Sequence, residues 1–210
     1  MVLRTTTHGV SMARVDIKLT GLEKLHSQLK SVGNQKVEIG ILDGATYPNG
    51  TPVSRVACYL EYGWTQSVTA RQRGWFSAQG IHLKPDTVLH SPARPFFEVT
   101  FNANRTKWIR LGQNALKGLA SSENALNKIT KALQLLGMTA QQDLQNAVID
   151  GGVGGNSFAS RSPLTTLLYG NLMHAGGHRT DGTPNQTASG KPLYRTGILE
   201  SSIAFNIVKE

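Results

Sequence analysis

His174 and His178 stand four residues apart, the spacing at which two imidazoles on one helical face hold a zinc ion. Ala175, Gly176 and Gly177 between them disfavour a helix, and no acidic third ligand is nearby, so the pair does not read as a metal site. Gly151-Gly-Val-Gly-Gly-Asn-Ser157 has the glycine density of a phosphate cradle. It lacks the Gly-Lys-Ser/Thr ending of a P-loop and follows a helical pattern instead of a strand, which leaves a plain hinge as its reading. Ser, His and Asp are all present, yet no Gly-x-Ser-x-Gly elbow lifts a serine onto a strained turn. Cys58, beside Ala57 and Leu60 in a helical pattern, reads as a small buried apolar side chain and not as a thiolate. Glu61 is a carboxylate without an evident partner and reads as a helix cap or ion-pair member. No catalytic, cofactor-binding or metal-ligating set emerges, and the expectation is a protein that is not an enzyme.

Charge is the stronger signal. The chain carries +9, from 22 Lys and Arg against 13 Asp and Glu. Between Thr65 and Lys117, Arg71, Arg73, Lys84, Arg94, Arg105, Lys107, Arg110 and Lys117 face only Asp86 and Glu98. Such a field attracts a nucleic acid or an acidic protein surface. Aromatic residues do not interleave regularly with these charges, as a base-stacking platform requires, so a solvated basic face is the plainer reading.

At 210 residues the chain has the length for a sizeable core, and 39% hydrophobic residues with 22 glycines and 8 prolines suit a globular protein with generous loops. Cys58 is the sole cysteine, which excludes an internal disulfide and fits a reducing compartment. No apolar run approaches the ~20 residues of a membrane span, and the polar start, Arg4 to Gly9, lacks the apolar core of a signal peptide. The expectation is a protein made in a cytosol, without membrane contact.

The elements that must position these residues follow from periodicity. Residues 1–13 read as a flexible arm and 14–210 as a single domain. Val15 to Leu19 alternates as a strand. Thr20 and Glu23 form a capping box ahead of Leu22, Leu25 and Leu29, Gly33 ends that helix, and Val37 to Leu42 alternates again, giving a β-α-β opening. Thr51-Pro52 starts a short helix that Gly63 stops. Residues 65–93 read as an excursion, with a turn or two of helix over Val68 to Phe76 and a loop or short hairpin around Thr87 to Leu89. A helix from Pro95 to about Gly118 presents Phe97, Phe101, Trp108, Leu111, Ala115 and Leu119 on one face. Ser121 or Ser122 caps a second, striped by Leu126, Ile129, Leu133, Leu136, Ala140, Leu144 and Ala147 as far as Gly151-Gly152. Residues 151–190 are too many for a quiet loop and read as an extended arm or assembly contact. Ile203, Phe205 and Ile207 close the chain as a strand whose neighbour must lie far back in the sequence. The fold class is α+β: a small mixed or antiparallel sheet, made of the β-α-β opening and the C-terminal strand, covered by two long helices.

Two sets of motifs carry a resemblance. One is Pro-Leu-x-x-Thr-Gly-x-Leu-x-x-Ser-Ile, Pro192 to Ile203. The other is Val68-Thr-Ala-Arg-Gln-Arg73 followed by Ser91-Pro-Ala-Arg-Pro-Phe-Phe97, with Gly40, Glu61-Tyr-Gly63, Ser162-Pro-Leu-Thr165 and a long helical pair in the same order. Together they resemble the neck and tail-completion proteins of tailed bacteriophages, the HK97 gp10-like virion-morphogenesis family, over about Val37 to Val208. At Leu167-Leu-Tyr-Gly170 the chain departs from the Lys or Arg that relatives carry after the Ser-Pro-x-Thr element.

The resemblance implies a structural virion protein at the head-tail junction, a neck, collar or tail-completion component that forms a homo-oligomeric ring, hexamer or dodecamer. Its implied partners are head-closure or portal-side connector proteins, the tail terminator and tube or sheath proteins, with packaged DNA as a further contact. It implies location in the virion, in host cytoplasm during assembly, and no cofactor. Arg71, Arg73, Trp75, Arg94, Phe96 and Arg195 are the expected contact or structural residues, with Arg94 facing a carboxylate across subunits. The alternative is a basic nucleic-acid-binding module gripping phosphates through Thr65 to Lys117; a cell-wall or phosphodiester hydrolase is a third class.

Overall fold

The computed structural model of the chain describes residues 35–41, 44–117, 119, 124–174, 192–193 and 196–209, together with Glu23, His26, Ser27 and Lys30, which are helical. The elements are β1 (Gln35–Ile41), α1 (Val53–Tyr62), β2 (Trp64–Ser67), α2 (Ala70–Ala78), β3 (Val88–Ser91), α3 (Phe96–Ala115), α4 (Ala125–Asp150), β4 (Gly152–Val153), β5 (Asn156–Ser157), α5 (Pro163–His174), α6 (Ile198–Ser201) and β6 (Ile203–Lys209). The fold is α+β, with long helices and small antiparallel sheets of two strands each. The expected arm at 1–13, the strand Val15 to Leu19 and Arg195 lie outside the described residues.

β6 finds its neighbour where the alternation requires one. It pairs antiparallel with β1 in the register Ile39 to Phe205 and Ile41 to Ile203. Because side chains alternate across a strand, Val37, Ile39 and Ile41 share a face with Ile203, Phe205 and Ile207, while Lys36, Glu38 and Asn206 share the other. The apolar face lies on α4. Gly137 of α4 sits against the Phe205 ring, and a Cβ there would come within 2.2 Å of the ring's Cδ2. Glycine in a helix interior costs about 1 kcal/mol, so the close approach of ring to helix offsets that cost. Gln141 fixes the same contact from the polar side, its amide donating to the Ile203 carbonyl at 3.0 Å.

α3 packs along the other side of α4. Trp108 is buried and its indole N–H donates to Asp143 Oδ2 at 2.7 Å, while Lys107 Nζ reaches the same carboxylate at 2.7 and 2.8 Å. Further along, Leu136 of α4 closes on Gly112 of α3, so the two helices run antiparallel. The core joins both layers: Val53 and Ala57 of α1, Phe96 of α3, Leu144 and Val148 of α4, and Leu193, Leu199 and Ile203 from the C-terminal stretch.

Several expectations are corrected. α4 starts at Asn124, whose side chain accepts from Asn127 N, and not at a serine cap. Its buried stripe is Ala125, Ala132, Gly137, Ala140, Leu144, Ala147 and Val148; small residues face inward because the sheet approaches closely, and Leu126 stays exposed. Phe101 is half exposed, meeting Trp108 edge-on at 5.8 Å. Cys58 is exposed, since α1 turns Val53, Ala57 and Glu61 inward and leaves position 58 outside. Gly151 to Ser157 is no hinge: Gly151 caps α4 in the left-handed region at φ 71°, and β4 and β5 then form a tight hairpin through Gly154 and Gly155. The stretch after it is not wholly an extended arm, because residues 163–174 form α5.

Candidate interaction surface

The residues singled out between Glu61 and Phe96 divide into a joint and an arm. The joint begins at the end of α1. Glu61 is buried and its carboxylate accepts the N–H groups of Phe97 and Glu98, each at 3.0 Å. Those are orphan donors of the first turn of α3, and a negative charge suits the positive end of the helix dipole. Glu61 is therefore a cap supplied from another helix. The N-cap position of α3 is Pro95, which makes no side-chain cap bond, so the cap has to come from elsewhere.

Arg94 completes the joint. Its backbone N–H donates to Leu60 O at 2.7 Å. The guanidinium, on a residue only 5% exposed, donates through Nε to Ala159 O at 2.7 Å and through Nη2 to Ser160 O at 2.8 Å. Nη1 makes longer bonds to Ser91 Oγ and Pro92 O, both at 3.4 Å. The planar fork thus ties the segment before α3 to the segment before α5, across 65 residues of chain. Burial, and then the Arg161 charge nearby, hold the Arg94 guanidinium below its ordinary range. At position 63, glycine is required by geometry: φ is 70°, and a Cβ would meet Ser91 O at 2.6 Å and Ala93 N at 2.7 Å. The C-terminal motif meets the same region. Leu193 and Leu199 are buried beside Phe96, and Ser162 Oγ accepts the Thr165 N–H at 3.1 Å at the start of α5. A cleft of about 740 Å3 opens here, with Leu60, His90, Arg94, Arg161, Thr165 and Ile198 among its walls.

The arm is β2, α2 and β3. The excursion expected over 65–93 is an ordered unit: β2 and β3 pair antiparallel from Trp64 with Ser91 to Ser67 with Val88, and α2 lies between them in sequence. Thr69 and Gln72 form a full capping box at the start of α2. Val68 and Phe76 are its buried residues, and Arg73 donates to Val68 O at 3.1 Å and Pro85 O at 3.2 Å, closing the unit on itself. Trp75 meets Phe76 edge-on at 5.1 Å but stays 48% exposed, and Arg71 is exposed beside it in sequence. Tyr62, Trp64 and Val88 add further exposed apolar surface at 80%, 37% and 55%.

The expected contact residues therefore separate. Arg71 and Trp75 stand on the outside of the arm, Arg73 braces it, and Arg94 and Phe96 are buried in the interior of the chain. Of the two roles expected for Arg94 and Phe96, contact or structural, burial leaves the structural one, and the carboxylate expected opposite Arg94 is replaced by main-chain carbonyls. Nothing in the residue types marks Ala159 and Ser160 as acceptors, because any residue offers a carbonyl. Asp143 was open to inference, since a buried indole N–H such as that of Trp108 needs an acceptor.

Among the described residues no group of three or more His, Cys, Asp and Glu could hold a metal ion, and no helix is long and apolar enough to cross a membrane. Compared with protein-family models, with curated proteins and with solved structures, the chain has no match.

Proposed function

We propose that this chain is a structural subunit of the head-tail junction of a tailed bacteriophage, a neck, collar or tail-completion component that assembles into a ring and joins head to tail. One observation supports the reading above the others. Several of the motifs behind the resemblance meet at a single joint, while Val68 to Arg73 belongs to the arm: Glu61 caps α3, Arg94 clamps the approach to α5, and Leu193 and Leu199 share one buried cluster with Phe96. Residues that recur as separated motifs and converge in space act as one unit, here a rigid base from which the β2-α2-β3 arm departs at Gly63 and returns at Ser91. The arm ends in an exposed indole and an exposed arginine, the side chains most often found as anchors in protein interfaces.

In this reading the arm meets the next copy in the ring or a connector, terminator, tube or sheath protein, and the joint sets its direction. The protein resides in the virion and assembles in host cytoplasm. Particles made without the chain provide the test: heads and tails are expected to accumulate unjoined, and joining is expected to return with the parent chain but not with the double variant Arg71→Ala, Trp75→Ala. Normal joined particles in the absence of the chain would overturn the proposal.

A further inference from the structure

From Val99 to Gln142 the sequence holds one acid, Glu123, against Arg105, Lys107, Arg110, Lys117, Lys128 and Lys131. The fold sorts these charges by face. Lys107, Arg110, Asn114 and Lys117 succeed one another at steps of three, four and three, so they form one stripe along the second half of α3 and the turn that ends it. All four are exposed. Trp108, which holds α3 to α4, points to the other side. Lys107 shares its charge with Asp143, whereas Arg110 and Lys117 meet no carboxylate among the described residues.

We propose that this stripe contacts the sugar-phosphate backbone of double-stranded DNA. Charge complementarity selects a polyanion, and Arg110 and Lys117, with the Asn114 amide between them, are donors that phosphate oxygens accept, while Lys107 is already bonded to Asp143. Lys107 and Lys117 stand about 15 Å apart along the helix, enough to reach phosphates on both sides of a major groove about 12 Å wide. A protein partner would favour apolar anchors, but the exposed Phe101 and Ile109 lie on a different edge of the helix, away from the stripe. A duplex is favoured over a single strand because no aromatic side chain stands on the stripe to stack on an unpaired base. The site goes beyond the assembly reading and stands without it, since a lone subunit presents the same stripe. It also moves the expected phosphate grip from the whole of Thr65 to Lys117 onto α3.

Fluorescence anisotropy of a labelled random-sequence duplex, titrated across about 50 to 200 mM salt, reads the number of phosphate contacts as the slope of log K against log salt, about 0.9 per contact. The double variant Arg110→Gln, Lys117→Gln replaces two exposed residues and is expected to flatten that slope by about 2. Arg110→Lys, which keeps the charge, is expected to retain the parent slope, as is Arg71→Gln on the arm. An absence of binding at the lowest salt, an unchanged slope in the double variant, or displacement of the duplex by polyglutamate at equal charge would each overturn the proposal, the last by assigning the stripe to an acidic protein.

Discussion

Arg94 and Arg71 lie in the same basic stretch, yet one is almost wholly buried and the other is exposed. Around Arg94 the chain supplies acceptors from several segments, Ala159, Ser160, Ser91 and Pro92, so the guanidinium has its partners at home. Around Arg71 the chain supplies a short capped helix and an exposed ring, Trp75. A single basic and aromatic stretch can thus hold two kinds of surface, an inner one that fixes geometry and an outer one left for something else. Substitutions in the joint should therefore cost stability, and substitutions on the arm should cost association.

The inner surface gives way first at Arg94. Arg94→Ala removes the bonds of a charged, buried side chain to the carbonyls of Ala159 and Ser160, and a loss of about 2 to 3 kcal/mol is expected in urea unfolding, with Arg94→Lys recovering only part because an ammonium has no fork. A loss below about 0.5 kcal/mol would make Arg94 a surface residue in energetic terms. Gly137→Leu extends the inner side of the contrast to the sheet: the new side chain must displace the Phe205 ring, and about 1 to 3 kcal/mol of stability is expected to go with it. Glu61→Gln removes the negative charge at the start of α3 while keeping one acceptor, so a smaller loss, about 1 kcal/mol, is expected by the same measurement. The double variant Arg71→Ala, Trp75→Ala is expected to cost about 1 kcal/mol at most, because Arg71 is exposed and Trp75 gives the interior only its edge contact with Phe76.

The two layers of the fold were legible because they rest on local patterns. The alternation of Ile203, Phe205 and Ile207 marks β6, and the matching alternation of Val37, Ile39 and Ile41 lets β1 share its apolar face, but a slip of two residues keeps the same match, so the register itself was not legible. The long helices were legible for the same reason, but their inward faces less so. Apolar size marks Leu126 as core, whereas closeness of packing puts Ala132, Gly137 and Ala140 inside and leaves Leu126 out. The arm was half legible. Thr69 and Gln72 encode a capping box, but the β2 and β3 pairing joins short strands with residues of mixed polarity, a pattern that carries no period.

The candidate site was readable as a set of residues and not as a geometry. Arg94, Phe96, Arg71 and Trp75 all stand in or beside the motifs, yet nothing local tells which arginine turns inward, because the deciding groups are main-chain carbonyls 65 and 66 residues further on. Cys58 shows the converse: its neighbours Ala57 and Leu60 suggested burial, and a rotation of one position about the axis of α1 put it outside.

If the arm is an assembly surface, the mass of the purified chain in solution, followed by light scattering as concentration rises, must depend on it. The parent is expected to reach and hold the mass of a closed ring, while the Arg71→Ala, Trp75→Ala variant stays smaller at every concentration. A parent chain that remains monomeric throughout, or a variant that closes the same ring, would contradict the assembly role.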